Sequence, residues 1–254
     1  MRALSIAGLL SFLPGCCVPG NLTQTYRPNL TPATAPVGVV FVANGAGDFR
    51  TVSNNLSQVI AENHIPLDIQ TFGWSVGYRR YIADQVDHDN HLAQGQLLAA
   101  QVYSYHQAYP ARRIYFLGHS AGCAVLLAAA ELLPPDSVDR MVLLAPSVSQ
   151  YYDLRPALRA ARLGVDVFHS DEDRIILGLG MQIFGTAERA SRTAAGRTGF
   201  TPVIVCPTDA ALYAKLRQHP WHPVVEWSGH DGGHFGSNQT GYLQAYVLPL
   251  FSTN

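Results

Sequence analysis

The chain has 254 residues, of which 48% are hydrophobic and 14% are charged, and its formal net charge is −1. A chain of this length and hydrophobic content can form one large globular domain with a buried core. The balanced charge provides no basic surface, which argues against nucleic acid as a partner.

Residues 1–16 are predicted to be an export signal. Met1-Arg2 forms a short positive region, and the apolar run over residues 3–13 is too short to span a bilayer as a helix. Two alternatives stay open. One is a plain signal peptide that is cleaved a few residues later; the other is a bacterial lipobox, which the run Leu13-Pro14-Gly15-Cys16 resembles. Both predict an exported, extracytoplasmic protein, and in the second case a lipid on Cys16 would attach it to a membrane.

The segment between the export signal and the first apolar run is predicted to be a linker. Residues 17–36 are rich in Thr, Pro and Asn and show no hydrophobic periodicity. Residues 37–254 contain neither an internal repeat nor a second apolar core, so we expect them to fold as one domain. Nothing in the sequence indicates an oligomeric state.

Within that domain, apolar runs typical of strands alternate with runs of helical periodicity. The predicted strands cover residues 37–43, 67–72, 113–117, 140–144, 165–169, 201–206 and 224–227. The predicted helices cover residues 51–63, 92–105, 123–133, 153–162, 210–218 and 243–250. The segments 74–90 and 177–200 are predicted to be irregular. The second is predicted to lie over the site. The first could line the site, but its charged residues, among them Asp84, are expected to be solvated or paired. This alternation predicts an α/β protein with a doubly wound, mostly parallel sheet and helices on both faces.

The stretch Gly118-His119-Ser120-Ala121-Gly122 has the pattern G-x-S-x-G, and it lies between a predicted strand and a predicted helix. This context is typical of a nucleophile elbow, a sharp turn that presents a serine hydroxyl. Side chains at Gly118 and Gly122 would collide with the neighbouring strand and helix, which explains the two glycines. Ser120 is therefore the candidate nucleophile; the alternative is an ordinary serine in a strand-to-helix turn.

A nucleophilic serine needs a base to take its proton and a carboxylate to orient that base. In parallel sheets, such groups lie in loops beyond the carboxyl ends of the strands. The loop after the fifth predicted strand contains Asp171 and Asp173, and the loop after the last predicted strand contains His230 and His234. Each pair offers two candidates for one role.

The turn Asn44-Gly45-Ala46-Gly47-Asp48 follows the first predicted strand. Its glycines would let the backbone approach a substrate closely, and an amide that binds an oxyanion would lie here. A phosphate-binding loop is the alternative, but neither G-x-G-x-x-G nor the P-loop pattern with its lysine is complete.

With these motifs, the chain resembles an α/β-hydrolase of the serine esterase/lipase type from Val37 to Phe251. The resemblance implies that the backbone N–H groups of Ala46 and Ala121 form the oxyanion hole. Many members of the family have histidine where this chain has Asn44, a departure of little consequence because the donor is a main-chain group.

The resemblance also favours one candidate in each pair. Asp173 is preferred to Asp171 because an apolar pair follows it closely, as it does the acid of the family. His234 is preferred to His230 because it lies next to a predicted helix start. The implied activity is hydrolysis of a small-molecule carboxylic ester through an acyl-enzyme on Ser120. The alternatives are a thioesterase or acyltransferase that uses the same residues, and a non-catalytic, surface-anchored binding protein.

No metal or other cofactor is expected. The spacing His230-x-x-x-His234 suggests a metal pair, but Gly232-Gly233 argues against the helix that would align the two rings. Cys123 and Cys206 could pair in an oxidising compartment. Because Cys123 is predicted to be buried in a helix, we expect no disulfide.

Overall fold

The computed structural model describes residues 36–174, 176–177, 185–188, 191 and 193–251. The predicted export signal and, except for Pro36, the predicted linker lie outside these residues, as does much of the predicted irregular segment 177–200. No helix in the described part of the chain is long and apolar enough to cross a membrane.

Six strands in the described residues form one parallel sheet in the order β2-β1-β3-β4-β5-β6. They are β1 (Gly38–Ala43), β2 (Leu67–Thr71), β3 (Arg113–His119), β4 (Arg140–Leu144), β5 (Val165–His169) and β6 (Leu216–Pro220). The chain first winds outward from β1 to β2 and then crosses back to β3. The predicted doubly wound parallel sheet is therefore confirmed.

The helices connect successive strands and close the C-terminus. They are α1 (Thr51–Glu62), α2 (Tyr81–Val86), α3 (His88–Ala108), α4 (Gly122–Leu132), α5 (Arg155–Ala160), α6 (Ala195–Thr198), α7 (Pro207–Tyr213) and α8 (Thr240–Tyr242). Helix α8 continues through a π-helical turn, Leu243–Val247, and a 3-10 turn, Leu248–Phe251. Short 3-10 helices cover Pro223–Ser228 and Gly236–Asn238.

Side chains alternate between the two faces of the sheet, and each face has its own core. Phe41 and Phe116 lie in the first core, with ring centroids 6.2 Å apart, beneath α3, α4 and α5. Val40 and Leu117 lie in the second core, beneath α1 and the C-terminal helical segment. The middle residues of the central strands β1, β3 and β4 are therefore apolar on both faces, which is why the sequence identifies these strands.

The sequence-based prediction is wrong for the last strand. Residues 224–227 belong to a 3-10 helix in which Trp227 is 72% exposed. The actual strand is β6, which overlaps the end of the predicted helix 210–218. Strand β6 pairs only with β5, and its Arg217 and His219 bond a buried carboxylate instead of packing as apolar side chains. An edge strand of this kind lacks the apolar run on which the prediction rests.

Two further segments differ from the prediction. Residues 201–206 form no strand and are mostly exposed, so they have no place in the sheet. The segment 74–90, expected to be irregular, contains α2 and the start of α3. Asp87 caps α3 by accepting a hydrogen bond from the Asn90 amide at 3.0 Å, which explains why this helix starts before the first residue of its apolar stripe.

Candidate active site

The G-x-S-x-G stretch forms a sharp turn between β3 and α4. Ser120 has a φ of +52°, a conformation that non-glycine residues rarely adopt. The backbone around it holds this strain: the Ser120 amide donates to the Leu144 carbonyl at 2.9 Å, and the Ser120 carbonyl accepts from the Cys123 amide at 3.1 Å. The turn therefore has the strained geometry expected of a nucleophile elbow.

The two glycines of the motif allow β1, β3 and α4 to pack closely. A Cβ atom on Gly122 would lie 2.3 Å from the carbonyl oxygen of Asn44 and 2.4 Å from that of Ala43. On Gly118 it would lie 2.8 Å from a methyl carbon of Leu126. Backbone carbonyl oxygens limit the space at Gly122, whereas the Leu126 side chain and, at 3.1 Å, the Cα and Sγ atoms of Cys123 limit it at Gly118.

Three of the predicted residues form a continuous hydrogen-bonded chain. The Nε2 atom of His234 lies 2.9 Å from the Oγ atom of Ser120, and its Nδ1 atom lies 2.5 Å from a carboxylate oxygen of Asp173. All three side chains are buried. A carboxylate only accepts, so the imidazole proton lies on Nδ1 and Nε2 is free to accept the serine proton.

The structure brings only one candidate of each pair to Ser120. The second carboxylate oxygen of Asp173 accepts from the Leu177 amide at 3.1 Å, whereas Asp171 is exposed. The Nδ1 atom of His230 instead accepts from the Gly232 amide at 3.1 Å, and burial lowers the pKa of His230 to about 4. These contacts leave Asp171 and His230 outside the hydrogen-bonded chain.

His119, which the sequence predicted to pack beside the elbow, contacts His234 and lies against the turn 44–48. Its ring centroid lies 4.9 Å from that of His234, and its Nε2 atom donates to the His234 carbonyl at 3.0 Å. Burial, and then the adjacent His234, lower the pKa of His119 to about 3, so it is neutral near pH 7. A Cβ atom on Gly45 would lie 2.8 Å from the Nδ1 atom of His119. His119 thus lies between His234 and the turn 44–48.

The turn 44–48 lies directly beside the elbow. A Cβ atom on Gly45 would be 3.4 Å from the Cβ atom of Ser120. The Asn44 side chain accepts from the Ser53 amide at 3.1 Å, which secures the start of the turn. Among the described residues, neither the Ala46 nor the Ala121 amide has a hydrogen-bond acceptor. Both amides at this edge are therefore free to bind a ligand oxygen.

Asp84, a residue that the sequence did not single out, is fully buried beneath the same turn. Its carboxylate accepts from the Gly47 amide at 2.6 Å. The sequence placed Asp84 among the charges of an irregular segment, expected to be solvated or paired. The only available signal was its position in the short apolar stretch that forms α2.

No group of three or more His, Cys, Asp and Glu side chains in the described part of the chain could hold a metal ion. The turn between His230 and His234 is not helical, so the two rings are not aligned as a zinc pair requires. Cys123 is buried and Cys206 is exposed, and both are free thiols.

Comparisons with known proteins address the fold. A family model described as "alpha/beta hydrolase fold" matches residues 72–168. Esterase PE8 is 14% identical, with a TM-score of 0.54 over 85% of this chain and 94% of that chain. The catalytic core domain of acetyl xylan esterase from Trichoderma reesei is 12% identical, with a TM-score of 0.44 over 84% of this chain and 99% of that chain. A Trichoderma reesei cutinase is 17% identical, with a TM-score of 0.41 over 65% of this chain and 74% of that chain. No curated protein matches the sequence.

Proposed function

Since the chain has the α/β-hydrolase fold, we propose that it is a serine hydrolase that cleaves a carboxylic ester with Ser120 as nucleophile. One observation carries the proposal: Ser120, His234 and Asp173 form an unbroken, buried hydrogen-bonded chain. The strained conformation of Ser120 supports the same role, because strain of this kind persists where the surrounding structure holds a residue for function.

In the first half of the proposed reaction, the Oγ atom of Ser120 attacks the ester carbonyl while Nε2 of His234 takes the hydroxyl proton. The carbonyl π electrons move to oxygen, and the amides of Ala46 and Ala121 bind the resulting oxyanion. Loss of one such donor typically costs about 10²–10³ in kcat. Asp173 stabilises the imidazolium through Nδ1–H.

The oxyanion then re-forms the carbonyl, and the bond between the acyl carbon and the alcohol oxygen breaks. His234 transfers its proton to the departing alcohol, which leaves the acyl group on Ser120. In the second half, His234 takes a proton from water, and the hydroxide formed attacks the acyl carbon. Collapse of the second oxyanion releases the acid and returns the proton to Ser120.

An ester is proposed as the substrate by analogy to esterase PE8, whose fold is similar. Transfer of the acyl group to an alcohol instead of water, or cleavage of a thioester, would use the same three side chains. A screen of esters and thioesters of increasing chain length therefore measures which acyl group is preferred.

Labelling with a fluorophosphonate probe tests the proposal, because the probe reacts only with an activated serine. We expect the wild type to be labelled and to hydrolyse at least one ester, and Ser120→Ala to lose both properties. Ser137→Ala is a matched control at the opposite end of the sheet, where the hydroxyl bonds the Pro134 carbonyl. An unlabelled, inactive wild type would instead support the non-catalytic binding protein.

We also propose that the protein is exported through its N-terminal residues 1–16. The mass of the mature N-terminus distinguishes the two processing alternatives. Cleavage before Cys16 with an added diacylglycerol mass identifies the lipid-anchored form, and Cys16→Ser then releases the protein from the membrane fraction. An unmodified N-terminus further along the chain identifies a plain signal peptide, whereas an intact Met1 contradicts export through a cleaved signal.

A further inference from the structure

We propose that Asp84 is a positioning residue for the oxyanion hole. Its buried carboxylate holds the turn 44–48 so that the Ala46 amide faces the oxygen that becomes negative during the reaction. This inference rests on the proposed function and adds to it a residue that touches neither the substrate nor Ser120.

Both oxygens of the Asp84 carboxylate accept hydrogen bonds from neutral donors. One oxygen accepts from the Gly47 amide at 2.6 Å and from the Ser75 hydroxyl at 2.5 Å. The other accepts from the Val76 amide at 2.9 Å. Asp84 has no arginine or lysine partner in the described part of the chain. A buried charge held only by neutral donors needs each of them, so the three bonds are strong constraints on the loops that supply them.

The donors belong to two different loops at the carboxyl edge of the sheet. Gly47 follows β1, whereas Ser75 and Val76 follow β2. Asp84 itself lies on α2, between β2 and α3. The carboxylate therefore joins the turn 44–48 to the adjacent loop through a third element, which neither loop could do alone.

Both polar groups of Gly47 are held. Its amide bonds Asp84, and its carbonyl accepts from the Arg79 amide at 2.9 Å. Gly47 has a φ of +85°, which glycine adopts without the cost that a side chain would add. The orientation of this residue is thus determined by the segment that contains Asp84.

The other end of the turn is held independently. The indole N–H of Trp74 donates to the Asn44 carbonyl at 2.8 Å, and the Asn44 side chain bonds Ser53. Ala46 lies between these two fixed points and has no hydrogen bond of its own from its amide to a described residue. The direction of the Ala46 N–H therefore depends on both anchors, of which Asp84 is the charged one.

The test compares Asp84→Asn and Asp84→Ala with the wild type. The asparagine preserves the shape but presents an NH₂ group where the carboxylate accepts, and the alanine removes all three bonds. We expect kcat to fall by about 10- to 100-fold with KM changed less than twofold, because a displaced oxyanion donor weakens the transition state more than the ground state. Affinity for a trifluoromethyl ketone, which forms a tetrahedral oxyanion adduct on a serine, should fall by a similar factor.

Two controls separate positioning from general stability. Ser75→Ala removes one donor from the same carboxylate but leaves the bond to the Gly47 amide, so we expect its kcat to fall less than that of Asp84→Ala. Asp166→Asn changes a carboxylate of equal burial far from the site, and we expect lower stability with an unchanged ratio of trifluoromethyl ketone affinity to KM. Asp84 variants that fold and keep both kcat and ketone affinity within twofold of wild type overturn the proposal.

A measurement on the wild type makes the test independent of how the variants fold. A buried amide bonded to a carboxylate exchanges its hydrogen slowly, so we expect strong protection of the Gly47 amide. Exchange as fast as in an unstructured peptide overturns the placement of Asp84. If the wild type is not labelled at Ser120, the proposed function fails, whereas the protection of Gly47 still reports on the contact itself.

Discussion

The two ends of the sheet use buried carboxylates in different ways. At the amino end, Asp166 accepts hydrogen bonds from Arg140 at 2.8 Å, Arg217 at 2.7 Å and His219 at 2.9 Å. Burial by itself raises the pKa of Asp166, but these hydrogen bonds outweigh burial and hold the pKa below its usual range. The carboxylate therefore keeps its charge, and the cluster ties β4, β5 and β6 together.

At the carboxyl end, the buried Asp173 has no arginine partner among the described residues, and its bonds come from His234 and the Leu177 amide. A carboxylate paired with two arginines holds fixed charges, whereas a carboxylate paired with histidine can stabilise a charge that appears and disappears. This difference supports the proposal that the carboxyl end carries the reaction, whereas the ion pairs at the amino end join neighbouring strands.

The largest expected effect is the loss of activity when the buried carboxylate at the carboxyl end is replaced. Asp173→Asn should lower kcat/KM by about 10⁴, because the asparagine favours the wrong imidazole tautomer while preserving the shape of the side chain. The rate of ester hydrolysis and the unfolding transition are measured for the same variant. We expect the activity to fall far more than the stability. Asp171→Asn is the matched control, and a loss of activity in that variant instead would show that the wrong acid was assigned.

The second effect is the loss of stability when the buried carboxylate at the amino end is replaced. Asp166→Asn should lower the free energy of unfolding by about 3 kcal/mol, because it leaves buried cationic partners uncompensated. Removal of one partner from a buried ion pair usually costs about 3–5 kcal/mol. The lower value applies here because the Arg217 side chain is 38% exposed and water screens its charge. Urea denaturation measures the loss, and kcat of the folded variant should stay within twofold of wild type. A large fall in kcat would mean that the two ends are coupled.

The third effect concerns packing at the carboxyl end. Gly122→Ala should destabilise the protein by about 1–3 kcal/mol, because the new methyl group meets backbone oxygens of β1 and of the turn that follows it. Activity should fall as well, since the same contact displaces the turn 44–48. Gly73→Ala is the control, because a Cβ atom there has no neighbour within 4 Å. Equal thermal unfolding midpoints for the two variants would contradict the close packing of the elbow.

The last expected effect is the pH dependence of stability that the buried histidines cause. The pKa values of His119 and His230 are lowered to about 3 and about 4, so between pH 6.5 and 4.5 the unfolded chain binds protons that the folded protein does not. Stability is therefore lost as pH falls through this window and is pH-independent, for these groups, above it. The unfolding midpoint should fall from pH 6.5 to 4.5, and more gently in His119→Asn; an unchanged slope contradicts a neutral, buried His119.

Prediction from sequence succeeded where the signal is local or apolar. The central strands are buried on both faces, so they appear as continuous apolar runs, and the elbow is marked by two glycines within five residues. It failed at β6, whose arginine and histidine bond Asp166 from the edge of the sheet. It also failed at α2, a short helix with Asp84 buried at its centre.

The parallel sheet, the elbow and the chain order of the candidate nucleophile, acid and base could be predicted from the sequence, because apolar runs, spacing and glycine positions along the chain encode these features. The folded structure was required to identify the contact of Asp173, and not of Asp171, with His234, because the two carboxylates lie two residues apart on one loop and differ only in whether they are exposed or bond His234. It alone identified Asp84, whose bond to Gly47 joins residues 37 positions apart. The physical reason is the same in both cases: the direction of a side chain depends on how separate loops fold against one another, and that information is absent from local sequence.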